Sequence, residues 1–196
     1  MAEEIEVKFL NVDPKALEKR LKKIGAKKVF DRLYRRRVFD FPDLRLNQQG
    51  AWLRIRDEGD QIVLAFKRRL GIKDHSGRTN DRSMEEIEVR VGDFEKTREI
   101  LLRLGLIEKF YQENRKVRYQ FGKIEFDIDF HPRLKPYLEI EAPSWKEIDR
   151  AIKLLGYDPQ DKKIFSTQQI YNLIGIDEND WQEMGFKRFV RKSAVA

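Results

Sequence analysis

The 196-residue chain contains no cysteine, which removes disulfides, thiol nucleophiles and Cys-based zinc or iron–sulfur sites together. Histidine is nearly absent too. His75 and His131 are the only imidazoles, too few for a His-rich metal centre. Any metal would have to be held by carboxylates, which select hard cations such as Mg²⁺, Mn²⁺ or Ca²⁺. No apolar run approaches ~18 residues, so no membrane span is expected. Met1 to Phe9 is acidic and lacks the basic and apolar regions of a signal peptide; the expectation is a soluble, cytoplasmic protein. There is no Walker glycine loop, Gly-x-Ser-x-Gly elbow or dinucleotide-binding fingerprint.

What the chain has is charge. Charged residues make up 38% of it, with 41 Lys+Arg against 34 Asp+Glu, for a net charge of +7 and a pI near 9.5. A basic balance permits an anionic partner without naming one. Hydrophobic residues at 40%, including 13 Phe, suffice for a packed core and exclude a wholly disordered chain. The two classes are interleaved. Glu4-Ile5-Glu6-Val7-Lys8-Phe9, Leu53-Arg54-Ile55-Arg56, Glu86-Ile87-Glu88-Val89-Arg90-Val91 and Leu138-Glu139-Ile140-Glu141 alternate charge with hydrophobe. Leu64-Ala65-Phe66-Lys67 and Ile124 to Phe130 follow the same rule. Residues two apart in a strand share a face, so each segment has one apolar and one charged face. The run Arg115-Lys116-Val117-Arg118 allows two registers; the one that keeps Val117 and Tyr119 apolar puts Lys116 and Arg118 on the charged side.

Helices separate the strands. Asp13-Pro14 offers an N-cap and N1 proline for a helix ending at Ile24-Gly25. Asp93 opens a second, ending near Leu104-Gly105, and Ser144 a third, with Glu147 at the capping-box position and Gly156 at its end. A fourth is expected over Thr167 to Ile174. Glu4-x-Glu6-x-Lys8 and Glu86-x-Glu88-x-Arg90 each precede a helix and then a basic strand, a weak internal repeat. Arg68 to Ser83 reads as a loop carrying Arg69, Lys73, His75, Arg78 and Arg82. One domain over residues 1–176 is expected, with 177–196 as a peripheral tail in which Trp181 either covers one end of the sheet or hangs free.

Charged strand faces ordinarily point at water. Solvent-facing strands, however, usually mix Thr, Ser, Gln and Asn among their charges, and here the polar faces are nearly pure Glu, Asp, Lys and Arg. The helices need the apolar faces, which commits the charges to the other side. The expected architecture is α+β: an antiparallel eight-stranded β-barrel with a charged interior and peripheral helices, closure removing exposed edges. Crowded charges cost several kcal/mol unless paired or neutralised by a ligand. Arg and Lys suit phosphate oxygens, and paired carboxylates recruit Mg²⁺ or Mn²⁺. A triphosphate with a metal escort satisfies both sets.

Glu4-x-Glu6-x-Lys8 resembles the ExExK signature of the CYTH superfamily, the triphosphate tunnel metalloenzymes. The resemblance continues through Leu53-Arg54-Ile55-Arg56-Asp57, Lys67, Glu86-x-Glu88, Asp129 and Tyr137-Leu138-Glu139-Ile140-Glu141. It implies metal ligation by Glu4, Glu6, Asp129, Glu139 and Glu141, with Mg²⁺ or Mn²⁺ as the cofactor. It implies triphosphate binding by Lys8, Arg54, Arg56, Lys67, Lys116 and Arg118, and makes Lys8, Arg56 and Glu88 the candidate catalytic residues. His131-Pro132-Arg133-Leu134-Lys135-Pro136 stands where many members have a glycine-rich turn, and His131 reads as a turn residue rather than a catalyst.

The function expected is metal-dependent hydrolysis of tripolyphosphate or a small organic triphosphate such as ATP or thiamine triphosphate. A class IV adenylate cyclase, making cyclic AMP and pyrophosphate from ATP, is the first alternative. A non-catalytic polyphosphate-binding module is the second. No membrane partner is expected, nucleic acid is disfavoured by the acid-rich faces, and a homodimer stays open.

Overall fold

The computed structural model describes residues 5–69 and 84–193. Glu4 and the loop residues Lys73, His75, Arg78 and Arg82 lie outside these. The chain forms β1 (Ile5–Phe9), α1 (Pro14–Lys23), β2 (Lys27–Asp40), α2 (Arg45–Gln48), β3 (Ala51–Asp57), β4 (Ile62–Arg69), β5 (Met84–Val91), α3 (Phe94–Arg103), β6 (Ile107–Phe121), β7 (Ile124–Phe130), β8 (Tyr137–Ala142), α4 (Trp145–Leu155), α5 (Thr167–Asn172), β9 (Trp181–Met184) and β10 (Phe189–Arg191).

Local chemistry sets the helix ends. The Asp13 carboxylate accepts from the backbone N–H groups of Lys15 and Ala16, and Asp93 from that of Lys96. These satisfy donors that a first turn leaves without an intrahelical partner. Ser144 caps α4 through the Glu147 N–H at 3.3 Å, while the reciprocal capping box falls one helix later, on Ser166 and Gln169 of α5. Gly25 and Gly105 follow α1 and α3 at φ +83° and +89°, a left-handed turn that a Cβ would strain.

The strands are ordered β1-β8-β7-β6-β2-β3-β4-β5, and the ladders β1–β8, β7–β8, β6–β7, β2–β3, β3–β4 and β4–β5 are antiparallel. β9 and β10 join off this path to make ten strands in all among the described residues, and the expected α+β fold, a mainly antiparallel β-structure with peripheral helices, is present. Among the described residues β1 pairs only with β8 and β5 only with β4, so the hydrogen-bonded closure of the expected barrel is not among these ladders.

The chain divides into two compact units. The first comprises Met1–Leu33 and Asn114–Glu178. Its core joins Val7, Phe9, Val117, Tyr119, Phe126, Ile128, Leu138 and Ile140 from the strands to Leu17 and Leu21 of α1 and Ile148, Ala151, Ile152 and Leu155 of α4. The helix positions recur at three and four residues, the spacing of one helical face. Burial of Val117 and Tyr119 fixes the register of β6, so Lys116 and Arg118 take the opposite face, as expected.

The second unit comprises Tyr34–Glu113 and Asn179–Ala196. Phe94 and Leu101 of α3 pack on Phe39 and Ile55. A second cluster joins Val38, Phe110 and Met184 to Trp52, Trp181 and Phe189, and β9 pairs in parallel with β6 at Tyr111 and Gln112. Buried Asp40 accepts from the N–H groups of Phe41, Leu46 and Asn47, anchoring the short α2.

A bidentate pair marks the rim of the first unit: Arg115 donates through Nε and Nη2 to the two Asp31 oxygens, each at 2.7 Å. That hydrogen bond lowers the Asp31 carboxyl to about 2 from 3.8. A depressed carboxylate contributes stability that is complete above its unfolded value and lost as pH falls toward the folded one. The stabilising contribution of Asp31 is therefore expected to fade between pH ~4 and ~2. Carbon-detected NMR titration should place the Asp31 midpoint near 2 in the native chain and closer to 3.8 in Arg115→Met; equal midpoints would refute the pairing.

Candidate active site

In the first unit the register arranges charges in cross-strand rows. Lys8 lies opposite Glu139, Glu139 opposite Asp127, and Asp127 opposite Arg118. In the adjoining rows Glu6 faces Glu141 and Glu141 faces Glu125, while Tyr137 faces Asp129 and Asp129 faces Lys116. Asp127, Asp129 and Glu139 bring one oxygen each within 4.8 Å of one another. Asp127 and Asp129 are only 3% and 2% exposed, so their charges must be compensated within the protein.

Cations supply most of that compensation. Lys116 Nζ lies 2.7 Å from Asp127 Oδ2, 2.9 Å from Glu139 Oε2 and 3.4 Å from Asp129 Oδ2. Arg118 donates to both oxygens of Asp127 at 2.7 and 2.6 Å and reaches Glu125 at 2.5 Å. Lys8 pairs with Glu139 at 2.8 Å and with Glu6. Burial alone would lift the Glu139 carboxyl, but Lys116 and Lys8 outweigh it and hold it well below its ordinary value. Asp129 goes the other way: burial, helped by the charges of Glu139 and Asp127, raises it well above the carboxylate range despite Lys116. Its Oδ1 accepts from Asn114 Nδ2 at 3.3 Å, whereas its buried Oδ2 has no hydrogen-bond partner among the described residues and meets only the longer Lys116 ion pair. An all-oxygen carboxylate set of this kind fits a hard divalent cation.

The second unit gathers the remaining cations. Arg36 lies opposite Arg56 on β3; Arg54 lies opposite Ala65 on β4, and Ala65 opposite Glu88 on β5. Lys67 lies opposite Glu86 and pairs with it. With only a methyl at position 65, the Arg54 guanidinium extends toward Glu88, where Nη2 stops 3.8 Å from Oε1. The Arg54 side chain is 9% exposed, and among the described residues its Nε and Nη2 have no hydrogen-bond partner. Burial, together with the charges of Arg56 and Arg36, pushes it down to about 9. Arg56 is held by Glu58 at 2.6 Å. Glu88 is raised by its hydrogen bond to Glu86, whose own carboxyl is lowered: burial opposes this but is outweighed by Glu88 and Lys67.

The expected residues thus fall into two groups. Glu6, Lys8, Lys116, Arg118, Asp129, Glu139 and Glu141 share the charged rows of the first unit; Arg54, Arg56, Lys67 and Glu88 share one face of the second. Sequence reasoning left out Asp127, although its alternation with Glu125 and Asp129 was visible, and Arg36, hidden in the run Arg35-Arg36-Arg37. His131 is a turn residue, its carbonyl accepting from Leu134 N–H. Its ring is also buried, with Nε2 3.0 Å from the Tyr137 hydroxyl. Lys163 bridges the backbone of Lys8 in both directions at 2.8 Å, while the Lys162 ammonium lies over the Trp145 ring.

A family model for the CYTH domain matches residues 2–164. The chain belongs to the CYTH family. A CYTH relative from Methanocaldococcus jannaschii, named "Putative adenylate cyclase MJ0240", is 33% identical over 155 residues, spanning 78% of this chain and 83% of that protein. Among solved structures, a conserved hypothetical protein from Pyrococcus furiosus superposes with a TM-score of 0.65 at 21% identity, covering 85% of this chain and 99% of that one. A "putative adenylate cyclase" from Vibrio parahaemolyticus gives 0.65 at 15% identity, covering 86% and 97%. A Hippeastrum protein, described as a "putative adenylyl cyclase" with a dominant triphosphatase activity, gives 0.59 at 15% identity, covering 88% and 96%. These structures share the fold of the CYTH chain. No helix among the described residues is long and apolar enough to cross a membrane.

A buried guanidinium with unsatisfied donors costs stability. Arg54→Met should therefore leave the CYTH chain as stable or stabilise it by about 1–3 kcal/mol, while weakening its response to pyrophosphate. Thermal melts of both proteins, with and without pyrophosphate, check this. A less stable variant that responds to pyrophosphate like the wild type would show that Arg54 is a structural cation.

Proposed function

We propose that this CYTH chain is a divalent-metal-dependent hydrolase of inorganic or small organic triphosphates. The observation that carries the reading is the trio Asp127, Asp129 and Glu139, whose oxygens lie within 4.8 Å of one another on a face where two of the three acids are buried. A module that only binds polyanions has no use for buried carboxylates. These three residues, with Glu4, Glu6 and Glu141, would hold Mg²⁺ or Mn²⁺. When bound, the ion would neutralise phosphate charge and polarise the phosphorus–oxygen bond to be broken.

The chain's own residues would do the rest. Arg54, Arg56 and Lys67 would take phosphate oxygens, Arg54 with the forked donors its surroundings leave unfilled. Glu86 and Glu88 would hold Lys67 and Arg54 in place between turnovers. Lys8, Lys116 and Arg118 would balance the carboxylates and offer further phosphate contacts. Water would attack a terminal phosphorus, the bridging P–O bond would break, and tripolyphosphate would leave as orthophosphate and pyrophosphate. Positioning and electrostatics can carry such chemistry, which suits a site built without cysteine.

The name of the 33%-identical relative favours a second reading, adenylate cyclisation. It would use the same groups, with the ribose 3′-hydroxyl attacking the α-phosphorus. Product analysis separates the two. Tripolyphosphate with Mg²⁺ or Mn²⁺ should yield orthophosphate and pyrophosphate, with Glu139→Ala lowering the rate at least ~100-fold, the scale on which losing one principal electrostatic group acts. Cyclic AMP and pyrophosphate from ATP, without tripolyphosphate turnover, would replace the hydrolase reading by the cyclase. No product from either substrate would leave a binding protein.

A further inference from the structure

Lys116 stands where a cation would enter. Its ammonium is within 3.4 Å of all three carboxylates of the trio, and its side chain is 16% exposed. The position follows from the ladder, which sets Lys116 opposite Asp129 and Asp127 opposite Glu139. Each carboxylate also has a second partner: Arg118 on Asp127, Lys8 on Glu139 and Asn114 on Asp129. Lys116 alone of these groups reaches all three.

We propose that Lys116 is the resident counter-ion of the trio, that a divalent cation enters by taking its place, and that the displaced ammonium then serves the phosphate chain. The inference rests on the metal reading of Asp127, Asp129 and Glu139 given above. Its physical core is exclusion. A divalent ion bonded to these oxygens and an ammonium about 3 Å from the same oxygens would repel strongly in a poorly solvated site. The two therefore occupy the trio alternately. Lysine suits the exchange, because a flexible stem carries a compact charge with three rotatable donors.

A consequence is coupling between ligands. Metal alone must expel an ammonium that then lacks an anion. Metal arriving with a phosphate chain gives that ammonium new acceptors. Each ligand then strengthens the other by the same factor, as linkage requires. The metal-free carboxylates, for their part, keep a neutralising partner and do not repel one another.

The test is Mn²⁺ binding in the absence of any phosphate, by calorimetry, to the wild type, Lys116→Met and Lys116→Gln. Removing the competitor should tighten Mn²⁺ at least about tenfold. It should also lower the melting temperature of the metal-free variants, and Mn²⁺ should restore it. Unchanged or weaker Mn²⁺ binding by the variants, with the wild type binding normally, overturns the exchange and leaves the metal reading standing. No binding by wild type or variants overturns both. Should neither variant fold, NMR of the wild type decides: the Lys116 ammonium resonance should shift or vanish into solvent exchange on adding Mg²⁺, and a resonance unmoved at saturating Mg²⁺ overturns the proposal.

Discussion

A β-strand has two faces, and in β1, β6, β7 and β8 one of them is spent on the core, whereas Ile87 and Val89 of β5 stay exposed. Val7, Val117, Ile128 and Ile140 have to meet the helices, so Glu6, Lys116, Asp127 and Glu139 have to lie on the other side. No local choice of rotamer can undo that partition, because it follows from the pleat. What remains to be settled is how charges confined to one face are neutralised, and the two units settle it differently.

In the first unit the balance is internal. The acids of β7 and β8 lie side by side, and Asp127, Asp129 and Glu139 each find a basic or amide partner, in Arg118, Asn114, Lys8 and the Lys116 ammonium that reaches all three. In the second unit Arg36, Arg54 and Arg56 lie on neighbouring strands, and Arg54 is buried with two donors unfilled among the described residues. Native proteins rarely leave such groups without a reason. The contrast is what the chemistry proposed here would require of a protein handling a metal and a polyanion: one set of acids kept in order without the ion, and one set of donors kept open.

Much of this was readable in advance, because alternation is a direct record of the pleat. The choice of register at Arg115–Arg118 followed from which residues could be buried, and Val117 and Tyr119 are buried at 0% and 1% exposure. The helix caps at Asp13, Asp93 and Ser144 were equally local and equally legible. Cross-strand neighbours were not, since pairing partners come from distant sequence. Asp127 was visible as a strand acid but gains its meaning only opposite Glu139 and beside Lys116. Arg36 is one of three consecutive arginines, and only the β2–β3 register singles it out as facing Arg56. The strands β9 and β10 are short and mixed in composition, and their order comes from Met184, Trp181 and Phe189 packing with Val38 and Phe110, contacts no local pattern announces. Ring closure is likewise a property of distant edges rather than of any single strand.

The small residue at position 65 has a reach beyond its size. A methyl there lets Arg54 lie across β4 with Nε and Nη2 unfilled among the described residues, so on the function proposed above the second unit would take any oxyanion that fits, not only a triphosphate. Sulfate, phosphate or citrate in a purification buffer would behave as weak ligands rather than as inert salt. Apparent melting points and inhibition constants for this protein would then depend on the choice of buffer anion at constant ionic strength. Chloride media then become the neutral ground on which its intrinsic properties should be compared.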